Sequence, residues 1–160
     1  MRLALCLTMM VACGGGDPGD SAVELGPCEG GGVPLLDVGD GGMSGFSGWA
    51  DGDTMELTLD STDAAGFRLE FSTEGLDTNE QVSAVVALTF PTRSNSETYL
   101  AALSLQCDEG PGWAATFAPL PDDVTIADVD AATVDMAVTI TDHRGVSANT
   151  SLSLSVRDAS

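Results

Sequence analysis

The 160-residue sequence predicts an all-β fold, an antiparallel sandwich of about eight short strands. Three observations predict it. Aromatic residues make up 5% of the chain, while Gly, Ala, Ser, Thr, Asp and Val dominate, a composition that suits strands with small side chains better than a helical bundle. From Met43 onward, short runs of alternating apolar residues are separated by Gly, Asp, Pro and Asn, the residues that make turns. No segment of helical length carries apolar side chains at a spacing of 3.6 residues. A chain of this length has room for one hydrophobic core and an appendage.

The appendage comes first. Arg2 precedes an apolar stretch at 3–12 that ends in small residues, the order of charge, hydrophobic segment and small residues found in a secretory signal. As a helix this stretch reaches about 15 Å, half the hydrocarbon thickness of a bilayer, so it is too short to remain as a span. Its last residues, Met10-Val11-Ala12-Cys13, resemble the lipobox of bacterial lipoproteins. The resemblance implies that the signal at 1–12 is removed, that Cys13 is acylated on sulfur and on the new amino terminus, and that the protein is held at a membrane by those chains. Several acyl chains make such an anchor stable where one is marginal. Gly14, rather than Asp, follows the cysteine, and by resemblance to the sorting pattern of these lipoproteins this implies the outer membrane. The segment 13–27, with its sequence GGGDPGDSAVELGP after the cysteine, reads as a flexible tether reaching roughly 20 Å.

Cysteine usage follows from that assignment. With Cys6 removed and Cys13 carrying lipid, Cys28 and Cys107 are the two thiols left in an exported domain at 28–158, and two such thiols pair. A zinc site needs four ligands, and the sole histidine is His143.

Candidate strands in the domain are 43–50, 54–59, 66–72, 81–90, 99–107, 113–118, 132–141 and 146–157. In the third, Phe67, Leu69 and Phe71 share one face and Arg68 and Glu70 the other, the alternation of a half-buried strand. The fifth puts Leu103, Leu105 and Cys107 on one side, which directs Cys107 to the core. In the last two, Val134, Met136, Val138 and Ile140 alternate up to Asp142-His143-Arg144-Gly145. The apolar series then resumes at Val146, Ala148, Leu152, Leu154 and Val156. Gly145, fourth in the turn, suits a type I turn closing through a bulge. This terminal hairpin resembles the last two strands of bacterial immunoglobulin-like and fibronectin-like modules. The resemblance implies two packed antiparallel sheets, and the close spacing of the predicted strands independently points the same way. A true antibody-type domain places Trp between two strand cysteines; of the two tryptophans here, Trp49 and Trp113, the second falls outside the interval from Cys28 to Cys107. An eight-stranded jelly roll is the alternative.

Charge narrows the partners. The chain carries 25 acidic residues against five arginines and no lysine, a net charge of −20. A phosphate backbone is repelled by such a surface, which excludes nucleic acid. Seventeen of the acids are Asp, spread through Gly-rich turns as solvated loop tips. Two other readings are calcium held by loop carboxylates and adaptation to a saline medium. Neither DGDTMELTLD nor ADVDAATVD satisfies an EF-hand loop, so Asp51 with Asp53, and Asp128 with Asp130, are the short pairs available to share an ion.

Catalytic signals are sparse. His143 reads as a turn residue, no G-x-S-x-G elbow or phosphate-binding Gly motif is present, and GMSGFSG lacks the elbow's spacing. The aromatic residues Phe46, Trp49, Phe67, Phe71, Phe90, Tyr99, Trp113 and Phe117 fall mostly in predicted strands and are expected in the core. The expectation is a lipid-anchored, cofactor-free, non-enzymatic module that binds an envelope or extracellular protein or a glycan. The alternatives are a small envelope hydrolase built on loop carboxylates and a calcium-stabilised adhesion module.

Overall fold

Alternating sequence becomes strand most completely at the carboxyl end of the chain. Strands β8 (Thr133–Thr141) and β9 (Ser147–Asp158) pair antiparallel over nine positions, from Thr133 with Ser155 to Thr141 with Ser147. The turn between them closes as its sequence predicts. The Asp142 N–H donates to the Val146 carbonyl at 2.9 Å, the Gly145 N–H donates to the Asp142 carbonyl at 3.0 Å, and Gly145 has φ of 83°, the left-handed region where a glycine is favoured. Val134, Met136, Val138 and Ile140 are all buried, so the odd-numbered residues of β8 face outward.

The computed structural model describes residues 28–42, 45–90, 96–107 and 110–159. The signal, Cys13 and the tether lie outside the described residues. Ahead of the hairpin run β1 (Leu35–Asp40), β2 (Ser47–Gly48), β3 (Thr54–Leu59), β4 (Ala65–Glu74), β5 (Val82–Thr89), β6 (Ser96–Leu103), β7 (Gly112–Pro119) and the single helical turn α1 (Ile126–Val129). Hydrogen-bonded neighbours follow the order β2-β1-β4-β3-β9-β8-β5-β6, with β7 on the opposite edge of β4.

The result is all-β, with nine strands among the described residues where about eight were expected. One pairing departs from the expected all-antiparallel sandwich: β3 runs parallel to β9, from Thr54 with Ser155 to Leu57 with Asp158. That parallel pair joins the layer built on β4 to the layer β9-β8-β5-β6, so one mixed sheet curls over its own apolar face as a half-barrel. A jelly roll pairs its strands antiparallel, and the β3–β9 pairing departs from it. The arrangement fits a sandwich or barrel-like all-β fold: β3, which pairs antiparallel with β4 in one layer, pairs parallel with the last strand of the other, and β6 lies beside β5. Phe67, Leu69 and Phe71 of β4 face Ala84 and Val86 of β5 and the even-numbered residues of β8 across one continuous core.

Three local differences have physical reasons. Of the strand predicted at 43–50 only Ser47–Gly48 forms, Met43 and Ser44 lying outside the described residues, and the partner it needs is β1, whose LLDVGD falls in none of the predicted strands. Gly39 is required there because a Cβ would run into the Ser47 carbonyl. The turn α1 is too short to show a helical period. Strand β6 ends at Leu103, so Leu103 and Leu105 are buried while Cys107 is half-buried rather than in the core.

Candidate functional site

The amino-terminal end of the described chain is fastened at several points. Cys28 and Cys107 form the expected disulfide, S–S 1.94 Å with Cα atoms 5.8 Å apart. The Thr78 N–H and hydroxyl donate to the Cys28 carbonyl at 3.1 and 3.0 Å, and the Arg144 guanidinium donates to the Gly30 carbonyl at 3.4 Å. Arg144 stands at the tip of the β8–β9 hairpin, beside Asp142. The buried Asp142 carboxylate accepts the N–H groups of Asp77 at 3.1 Å, Arg144 at 2.9 Å and Val146 at 2.9 Å, and pairs with the Arg144 guanidinium at 3.2 Å. Burial opposes its ionisation, but those donors outweigh it and hold the carboxyl below its ordinary value. Asp77 is also held low, first by the Asn79 N–H and, against the effect of burial, by the Asn79 side chain, Arg144 and His143. His143 is exposed with Nε2 3.9 Å from Asp77 Oδ2, a turn residue as expected.

The four carboxylates singled out for calcium each accept hydrogen bonds from the protein. Asp51 accepts the Ser153 N–H at 2.8 Å, and Asp53 accepts the Ala50 N–H at 2.8 Å. Asp128 accepts the N–H and hydroxyl of Thr125 at 2.9 and 2.6 Å, just before α1, and Asp130 accepts the Asp158 N–H at 3.1 Å. Asp51 and Asp53 lie beside the middle of β9, whereas Asp130 lies at its end. Among the described residues no three His, Cys, Asp or Glu side chains converge on one point as a metal would need.

The aromatic residues divide. Phe67, Phe71 and Phe90 are buried, and Trp49 and Tyr99 pack against the core. Trp113 and Phe117 do not: their neighbours Ala114 and Ala118 face inward, which turns both aromatics to the outer side of β7. Phe117 lies over Gly66, where a Cβ would come within 2.6 Å of its ring.

Two of the open depressions among the described residues bring polar side chains together as candidate sites. One lies on the outer face of β9-β8-β5-β6, about 400 Å³, and includes Asp51, Ala87, Asp135, Ser151 and Ser153. Among the outward residues of β5, β8, β9 and positions 98–102 of β6, Asp135 is the sole carboxylate and Arg157 the sole cation; the rest are Ser, Thr, Ala, Asn, Val and Leu. The Ser153 hydroxyl donates to Asp135 at 2.7 Å. Such a floor offers hydroxyl donors and acceptors over small side chains. The second depression, about 430 Å³, lies where β6 approaches the end of β7; Leu88, Tyr99 and Leu120 line it with the exposed acids Glu97, Asp122 and Asp123. The Tyr99 and Thr116 hydroxyls meet at 3.3 Å between the two strands. Its apolar lining and acidic rim suit a cationic ligand with an apolar backbone or side chains. Neither depression includes His143, so neither pairs a nucleophile with that base.

Sequence reading missed this second site because the approach of β6 to β7 is set by the closure of the sheet. The PDD at 121–123 was the one local signal, an acidic turn directly after a strand. Compared with protein-family models, with curated proteins and with solved structures, the chain matches none.

Proposed function

We propose that the protein is a lipoprotein of the bacterial cell envelope, held at the outer membrane through Cys13, whose β-sandwich is a non-enzymatic binding module for an envelope or extracellular partner. The observation that carries this reading is the Cys28–Cys107 disulfide. Disulfides persist in oxidising compartments outside the cytoplasm. The bridge also accounts for both cysteines of the folded domain, leaving Cys6 and Cys13 in the amino-terminal segment, with Cys13 placed as in a lipobox. The binding role is supported by open depressions lined with hydroxyls and carboxylates and by the position of His143 away from both.

Intact mass of the membrane-extracted protein tests the anchor. The expected species begins at Cys13 and carries acyl mass; a start at residue 2 or 14, or no acyl mass, overturns it. Cys13→Ala should leave the protein out of the membrane fraction.

A further inference from the structure

We propose that the free edge of β6 receives an extended, basic segment of a partner polypeptide, which joins the sheet as an added strand and sets its cationic side chains against Glu97 and Asp122. This rests on the reading of the protein as a binding module. Among the described residues β6 pairs with β5 alone and ends the sheet. A strand edge exposes a row of unpaired N–H and C=O groups, and folded proteins ordinarily blunt such edges with Lys, Pro or a bulge. Over Ser96–Leu103 the sequence SETYLAAL has no Lys, Arg or Pro, and its pairing with β5 is regular over eight positions without a bulge. The edge of β7 is treated differently: Gln106 bridges to Trp113 at one end, and Pro119 closes the other.

The edge of β6 also carries a surface suited to one class of occupant. Leu100 is 69% exposed, and Thr98 and Ala102 flank it on the same face. Glu97, Asp122 and Asp123 rim the depression at its end, around Leu88, Tyr99 and Leu120. An extended peptide satisfies the edge through main-chain hydrogen bonds, and its alternate side chains reach the acids. Charge selects among occupants. A second copy brings another −20 to the same edge, and the segment 13–27 of this chain carries Asp17, Asp20 and Glu24 with no cation, so both are repelled. A basic segment is attracted.

The test uses the purified full chain in detergent and fluorescence anisotropy with short peptides of alternating Lys and Val, alternating Glu and Val, and alternating Lys and Val with every second amide N-methylated. The Lys peptide is expected to bind and the Glu peptide not to bind. N-methylation should weaken binding by about tenfold or more, because it removes strand donors and leaves charge unchanged. The double variant Glu97→Gln, Asp122→Asn should keep at least the parent melting temperature while losing about tenfold in affinity and much of the salt dependence. No binding of the Lys peptide, equal binding after N-methylation, or unchanged affinity in the double variant overturns the proposal. So does concentration-dependent dimerisation that Leu100→Lys abolishes, since the edge then belongs to a second copy. An envelope ligand that still binds the double variant leaves the binding-module reading standing and removes this one.

Discussion

Asp142 concentrates much of the electrostatics of the hairpin tip in one side chain. It stands first in a predicted D-x-x-G turn, and its acceptance of the Arg144 and Val146 N–H groups follows from that turn. Its bond to the Asp77 N–H, 65 residues away, was illegible, because nothing local in either segment encodes their approach. Removing a buried carboxylate that satisfies several donors leaves those donors unpaired. Asp142→Ala should therefore lower stability by about 2–4 kcal/mol, read as a shift in the denaturant midpoint at unchanged slope. The pH dependence has a definite sign. The folded-state value is depressed, so the stabilisation is complete above the ordinary value of 3.8 and is lost as pH falls through the folded value. Asp142→Asn should flatten the melting curve's dependence on pH below about 4; parallel loss of melting temperature in both proteins would contradict this account. At Gly145, whose φ is 83°, replacement by Val should destabilise the hairpin by about 1–2 kcal/mol.

At the scale of elements, alternation made most strands legible, and β3, β4, β5, β7, β8 and β9 appear where the apolar periods place them. Strand β1 escaped because Leu35 is exposed and its pattern of buried residues, Leu36, Val38 and Gly39, ends on a glycine that signals a turn. That glycine serves close packing against Ser47. The fate of Trp113 and Phe117 was illegible for a related reason: a strand's period shows which residues share a face, while the neighbouring strand decides which face is inside. Gly66 lies beneath Phe117, so Gly66→Ala should destabilise the β4–β7 pair and move the Phe117 ring, a loss of about 1–3 kcal/mol visible in thermal unfolding. The disulfide closes a loop with a sequence separation of 79. In the chain-entropy model its removal by Cys28→Ser with Cys107→Ser should cost about 4–5 kcal/mol. A loss under about 1 kcal/mol would mean that Cys28, Thr78 and Arg144 hold the amino-terminal end without it.

For the whole molecule, composition forecast an all-β chain with strong self-repulsion, and net charge is the property on which that forecast is easiest to check. With −20 on the chain, added salt should raise the melting temperature by screening carboxylates from one another. A melting temperature that falls with sodium chloride would show that the ion pairs of Arg68 with Glu70, Arg144 with Asp142 and Arg157 with Glu56 outweigh the surplus acids. The parallel β3–β9 pair and the approach of β6 to β7 are properties of closure, and no window of the sequence contains both partners. Composition therefore reached the class, periodicity reached the strands, and the mixed half-barrel with its acidic depression needed coordinates.

The disulfide also sets how the molecule carries load. A pull applied to the chain before Cys28 passes through the sulfur–sulfur bond to Cys107, so β1 through β6 lie inside a covalent bypass and cannot be drawn out. Stretched between its termini, the oxidised protein should extend from the segment before Cys28 and from the segment after Cys107 alone. Reduction should add roughly 260–280 Å of contour length, the extended reach of the bypassed loop.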